Sequence, residues 1–214
     1  MPRIKHISFD LDGTLINSFP IMEVAWNASM EALSLNCNFL EYKKLVGMPF
    51  PKILELLNMT QYEQELTNLY FSHTKRLASE VQTFHGVQEV FSWASENGYS
   101  TSIITSKPRE NAEILCRRLK IPVSLLVCGD DNRHGKPNAF VADPVLERFK
   151  VTPAEVLYIG DMAVDLQFAI NVGMKFLFFE GDALNRLPRN IVNKVPSIAY
   201  LTEIIGSDLD SFFI

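Results

Sequence analysis

The apolar positions of this 214-residue chain fall into two textures. Between residues 16 and 80 they recur at helical spacing with no convincing strand, and from Val81 onward short apolar runs alternate with helical stripes. In the first texture, residues 19–33 carry Met22, Ala25, Ser29 and Leu33 on one stripe and Ile21, Ala28 and Ala32 on another, which predicts a helix packed on more than one side. Residues 40–46 predict a second helix before Gly47, and residues 51–57 a third after the Pro49/Pro51 turn. The fourth is the clearest. Thr60-Gln61-Tyr62-Glu63 has the form of a capping box, and Tyr62, Leu66, Leu69, Tyr70, His73 and Leu77 follow in steps of three and four.

The second texture is that of βαβ units. Helices are expected over residues 86–97, with Val87, Val90, Phe91 and Ala94 on one face, and over 108–119, 143–149 and 161–172. Strands are expected over 99–105, 122–128, 156–159 and 175–179, with a helix near Leu184 and a small strand near Ile198 in the tail. An apolar-rich run at residues 4–9 gives one more strand, cut off from the others by the helical segment. The fold class that follows is α/β, a doubly wound, Rossmann-like parallel sheet with an inserted small helical domain. The expected division is 1–16 and 85–214 for the core and 17–84 for the insertion, with hinges at 17–19 and 81–86.

Composition changes this picture little. Hydrophobic content of 47% and charged content of 21% describe a globular chain long enough to bury a substantial core. A net charge of −5 offers no basic excess for nucleic acid or a membrane surface. Cys37, Cys116 and Cys128 are odd in number and lack C-x-x-C spacing, which argues for reduced thiols rather than a disulfide framework or zinc site, and so for a cytoplasmic protein. No apolar run nears the roughly 20 residues that span a bilayer, and no signal-peptide h-region precedes Asp10.

The chemistry gathers at strand ends. Asp10 and Asp12 stand at i and i+2 directly after the first strand, and Gly13 permits a sharp turn. Two like charges held that close call for a bound cation or a shared proton. In doubly wound sheets, ligands bind beyond the carboxyl ends of the strands. Thr105 and Ser106 follow the second strand, Lys136 lies in the loop after the third, and Asp161 follows the fourth. Alone, Asp161 would be an N-cap and Lys136 a solvated charge. Their coincidence at successive strand ends sets them apart.

The stretch Asp10-Leu11-Asp12-Gly13-Thr14-Leu15 resembles the first motif of the haloacid dehalogenase superfamily, in which the first Asp is the nucleophile. The second motif is matched by Ile103-Ile104-Thr105, and Ser106-Lys107-Pro108 is similar to the T-N-K-P of phosphoglycolate-phosphatase-like members, with Ser in place of Asn. Gly135-Lys136-Pro137 and Gly160-Asp161-Met162-Ala163-Val164-Asp165 match the third and fourth. The resemblance covers essentially the whole chain. It implies a Mg2+-dependent phosphatase in which Asp10 attacks phosphorus, Asp12 exchanges the proton, and Thr105 and Lys136 bind the phosphoryl group. Asp10, Asp161 and the backbone carbonyl of Asp12 would hold the metal, with Asp165 ligating directly or orienting Lys136.

Asp12 speaks against carbon–halogen cleavage, whose leaving group needs no proton. Met22 stands where sugar phosphomutases of similar layout carry a hinge His. The insertion then acts as a cap, and residues 45–49, including Gly47, resemble a loop that faces the site; Gly47 and Ser106 are expected at the substrate. Lys43, Lys44, Lys52 and Arg109 are candidates for a second anionic group, with a surface role as the plain alternative. Pro144 falls where relatives run a helix, so that segment should start late or kink. His73 is expected to be packed, and His6, His85 and His134 carry no expectation. The expected partner is a small phosphorylated metabolite, phosphoglycolate-like by preference, with no nucleic acid and no membrane, in a monomer or homodimer. The alternatives are pyrophosphate, nucleotide or sugar phosphate as substrate, or a phosphometabolite-binding protein without turnover.

Overall fold

A computed structural model of the protein describes residues 3–131, 134–181 and 194–195. Eight strands are present among them: β1 (His6–Phe9), β2 (Ile16–Asn17), β3 (Gln82–Thr83), β4 (Ser100–Ile104), β5 (Leu126–Val127), β6 (Val156–Gly160), β7 (Lys175–Phe179) and β8 (Lys194–Val195). The main sheet runs β5-β4-β1-β6-β7-β8, and every pairing in it is parallel. Strand order reverses at β1, which is flanked by β4 and β6 in a register that sets Phe9 beside Ile103 and Ile159. Asp10, Thr105 and Asp161 therefore leave the same sheet edge at the reversal, the position where such sheets bind ligands. The expected helix near Leu184 and strand near Ile198 lie outside the described residues.

Eight α-helices accompany the sheet: α1 (Phe19–Ala32), α2 (Phe39–Lys43), α3 (Phe50–Leu56), α4 (Glu63–Arg76), α5 (Val87–Glu96), α6 (Arg109–Arg118), α7 (Asp143–Phe149) and α8 (Ala163–Val172). Helices α5 and α6 pack Val87, Val90, Phe91, Ala112 and Leu115 onto Ile7, Phe9, Ile103 and Leu157 on one face. On the other face, α7 and α8 bring Val145, Phe168 and Ala169 to Ile104, Val156 and Tyr158. The alternation of these sets along each strand is the period of two expected for a sheet covered on both sides. Pro144 sits in the first turn of α7, where its missing N–H costs nothing, and the helix starts late, after a 3-10 turn at Ala139–Ala142.

Helices α1 to α4 form their own apolar cluster around Trp26, Tyr42, Phe50 and Tyr70, which also takes in Met162 and Val164 at the start of α8. The chain enters this segment through β2 and leaves through β3, which pair antiparallel. The capping box expected at Thr60 does not form. Residues Thr60–Tyr62 wind as a 3-10 turn, and the Glu63 N–H that the Thr60 hydroxyl would have received is spent on the Thr60 carbonyl. Among the described residues no helix is long and apolar enough to cross a membrane.

Strand β1 alternates apolar residues with His6 and Ser8, which are fully buried on the α7 face. His6 Nδ1 bonds Ser100 Oγ at 2.7 Å, Nε2 bonds Ser102 Oγ at 2.8 Å, and Ser102 meets Ser8 Oγ at 2.8 Å, with the imidazole 4.4 Å from the Phe149 ring. A neutral imidazole satisfies both serines by donating one bond and accepting the other. Burial lowers its pKa from 6.5 to about 4. The folded state therefore resists protonation that the unfolded chain accepts, so this stability is complete above pH 6.5 and is lost as pH falls toward 4. In urea titrations, the margin of wild type over His6→Gln should narrow by up to about 3 kcal/mol across that window; a margin independent of pH would contradict it.

Candidate active site

The loop after β1 closes on itself. Leu15 and Ile16 N–H both donate to the Leu11 carbonyl at 3.0 Å, and Gly13 N–H donates to Ile16 at 2.9 Å. Gly13 lies at φ 85°, and a Cβ there would stand 2.3 Å from Asp161 Oδ2. Only glycine both makes this turn and leaves room for that carboxylate. Thr14 Oγ1 then donates to Asp161 Oδ1 at 3.0 Å, tying the first loop to the end of β6. Asp161 is not an N-cap: α8 begins two residues later, and its start is held by Asp165, whose Oδ2 accepts the Met162 N–H at 3.0 Å.

Lys136 is 1% exposed, yet its ammonium is fully engaged. It donates to Asp10 Oδ1 at 2.6 Å, Asp165 Oδ1 at 2.7 Å and the Tyr158 hydroxyl at 3.1 Å. The one Tyr158 hydroxyl hydrogen has two acceptors within reach, Asp165 Oδ1 at 3.1 Å and the Ile104 carbonyl at 3.2 Å. Burial alone would lower the lysine's pKa, but the Asp10 and Asp165 carboxylates hold it well above its ordinary value. Lys136, itself held by Asp165 and Tyr158, thus fixes one oxygen of Asp10, a residue that also lines the cavity described below.

Asp12 is held separately. Ser18 Oγ donates to its Oδ1 at 2.6 Å and Lys107 Nζ stands 3.0 Å from its Oδ2, with the Lys107 side chain 5% exposed. Sequence reasoning missed Ser18 and Lys107, as it missed Tyr158. Thr105 Oγ1 accepts the Lys107 N–H at 3.1 Å, so its own hydrogen stays available to a ligand.

Asp10, Asp161 and Asp165 each place a carboxylate oxygen within 4.8 Å of the others. Burial pushes the Asp10 carboxyl up to about 7, and the Asp165 and Asp12 carboxylates add to the rise while Lys136 opposes it. Burial, then the Asp165 and Asp10 carboxylates, also raises Asp161 well above the usual range. Three buried carboxylates against one ammonium leave an excess of negative charge around a set of hard oxygen donors, which suits a divalent cation such as Mg2+. Both oxygens of Asp165 are already taken, by Lys136, Tyr158 and the Met162 N–H. The Asp12 side chain lies outside the cluster.

Between the strand ends and helices α1 to α4 lies a cavity of about 40 Å3. Asp10, Asp12, Thr105, Ser106 and Lys107 form its floor. Its wall is Met22, Tyr42, Phe50, Ile53, Tyr70 and Phe71, together with the loop around Gly47. Gly47 lies at φ 96° with its α-carbon side against Val164, where a Cβ would come within 2.5 Å. Ser106 Oγ donates to the Gly47 carbonyl, so the serine fastens this loop to the sheet. Gly47 and Ser106 are thus together at the cavity, as are Asp10, Asp12 and Thr105. Lys52 pairs with Glu55, and Arg109 with Asp131 and Glu113, both outside the lining; Lys43 is buried with its ammonium 4.3 Å over the Phe19 ring. His73 is half-buried, and its ring meets the Arg76 guanidinium at 3.2 Å.

The sequence model of the family described as haloacid dehalogenase-like hydrolase matches residues 7–179. A phosphorylated carbohydrates phosphatase from Thermotoga maritima is 24% identical over 189 residues, covering 85% of this chain and 88% of the relative. Pyrophosphatase PpaX from Bacillus cereus is 27% identical over 183 residues, covering 81% and 82%. Among solved structures, a hydrolase from Pseudomonas syringae superposes with a TM-score of 0.86 at 19% identity, covering 96% of this chain and 99% of that one. The last likeness speaks to the fold alone.

Proposed function

The chain belongs to the haloacid dehalogenase-like hydrolase family, and on that footing we propose that it is a magnesium-dependent phosphatase of a small phosphorylated metabolite. The observation that carries this reading is Asp10 clamped by Lys136 beside Asp161, at a cavity that Asp12 also lines. Residues 17–84 act as the cap, and 1–16 with 85–214 as the core, joined through the β2–β3 pair.

Asp10 attacks phosphorus in line, forming an aspartyl-phosphate as the bond to the leaving oxygen breaks. Asp12 gives its proton to that oxygen and then takes one from the water that attacks phosphorus, releasing phosphate and restoring Asp10. Lys107 and Ser18 orient the Asp12 carboxyl for both transfers. Lys136 steadies the nucleophile, and the Thr105 hydroxyl donates to a phosphoryl oxygen. Asp10, Asp161 and the Asp12 carbonyl are the candidate ligands of Mg2+, with Asp165 positioning Lys136. Bound there, magnesium would offset the charge on the phosphoryl oxygens. The aromatic wall of the cap limits the water that could compete with the leaving group.

A protein that merely bound a phosphometabolite would have no use for Asp12 held between Ser18 and Lys107. The names of the relatives place phosphorylated carbohydrates and pyrophosphate on the panel of substrates, beside phosphoglycolate. Phosphate release from that panel should require magnesium, stop with chelator and return when magnesium is restored. Release indifferent to chelator would contradict the metal, and no release from any member would contradict the phosphatase.

A further inference from the structure

The wall of the cavity carries chemistry that phosphoryl transfer does not call for. Every residue that residues 17–84 contribute to it is uncharged, and most are aromatic or aliphatic. The aromatic part is interlocked: Phe50 and Tyr70 stack at 5.1 Å, Phe71 meets Phe50 edge-on at 5.0 Å, and Tyr42 lies 5.4 Å from Tyr70. Such a cluster cannot turn aside to admit a charged side chain. The one ammonium in the lining, Lys107, is spent on Asp12. A second anion on the leaving group would have to compete with Asp12 for it while losing its own hydration against the aromatic wall.

One polar spot interrupts the wall. The Tyr42 hydroxyl donates to that of Tyr70 at 2.8 Å, both side chains being buried. Among the described residues no acceptor takes the Tyr70 hydrogen, and the Tyr42 oxygen has accepted nothing. The pair can therefore both donate to and accept from one hydroxyl.

Resting on the phosphatase reading, we infer that the preferred substrate is the phosphomonoester of a short, uncharged alcohol. Its carbon chain lies against Phe50, Ile53 and Phe71, and one further hydroxyl meets the Tyr42–Tyr70 pair. The small cavity keeps the leaving group short. A second anion on the leaving group, whether carboxylate or phosphate, is selected against, which turns the preference away from phosphoglycolate and pyrophosphate.

The test is kcat/KM with magnesium for 2-hydroxyethyl phosphate, ethyl phosphate and phosphoglycolate, which share one carbon count and differ only at the far carbon. Acetyl phosphate, whose leaving group needs no proton, reports the chemistry independently. The expected order is 2-hydroxyethyl over ethyl over phosphoglycolate, with about 10^2-fold between the first and last. Tyr70→Phe should shrink the ratio of the first two by about tenfold. Met48→Lys, on the cap loop, should raise phosphoglycolate relative to 2-hydroxyethyl phosphate. Hydrolysis of acetyl phosphate with phosphoglycolate equal to or above the neutral esters would overturn the inference and leave the phosphatase standing. Failure to hydrolyse acetyl phosphate would overturn both.

Discussion

Asp10→Asn is expected to lower kcat for phosphate release by about 10^4-fold or more while the protein stays folded. An amide cannot attack phosphorus, yet it keeps the shape of the carboxylate, and its oxygen can still accept the Lys136 bond now 2.6 Å long. Folding should not suffer. Asp10 is one of three buried carboxylates crowded around a single ammonium, and its charge is held there against both burial and its neighbours. Removing that charge relieves repulsion, so the urea midpoint of the variant should equal or exceed that of wild type. Substantial turnover in the folded variant would remove Asp10 as the nucleophile.

Lys136→Met is expected to damage both stability and turnover. The side chain has no other place to go: it is 1% exposed, and its ammonium meets Asp10, Asp165 and Tyr158. Methionine fills a similar volume but leaves two carboxylates facing each other without a cation, a loss of about 3–5 kcal/mol. Asp165→Leu added to the same chain removes one of the stranded charges and should recover part of that stability without recovering turnover. Equal urea midpoints for wild type and Lys136→Met would show that the ammonium is not what holds the cluster together.

The parts of the molecule that could be read from sequence were those with a period or a fixed spacing. The alternation after residue 81 located β4, β5, β6 and β7, the apolar run at residues 4–9 located β1, and β7 and α7 agree with the residues expected for them. Of the four residues expected at strand ends, Asp10 and Thr105 line the cavity, while Lys136 bonds Asp10 and Asp161 clusters with it. What escaped lacks any such pattern. Strands β2 and β3 are two residues each, too short for an alternation to be seen. Strand β5 is also only two residues long, although an apolar run of seven suggested more.

Lys107 and Ser18 act on Asp12 from positions that are distant or ordinary in the sequence, and only the turn at Gly13 brings them to it. Tyr158 sits in an apolar strand where its ring reads as core, and its hydroxyl gains meaning once Lys136 lies beneath it. His6 and Ser8 interrupt an apolar strand, but nothing in the sequence pointed to their partners Ser100 and Ser102 in β4. The neutrality of the cavity wall was equally hidden, since Lys52 and Arg109 stand near motif residues in sequence and pair elsewhere in space.

The most direct measurement is the mass of the peptide that contains Asp10, taken from enzyme quenched in acid during turnover with magnesium. The account predicts that this peptide gains one phosphoryl group, that the group is lost on treatment with hydroxylamine, and that Asp10→Asn never acquires it. A phosphoryl group found on another residue, with the Asp10 peptide unmodified, would contradict it.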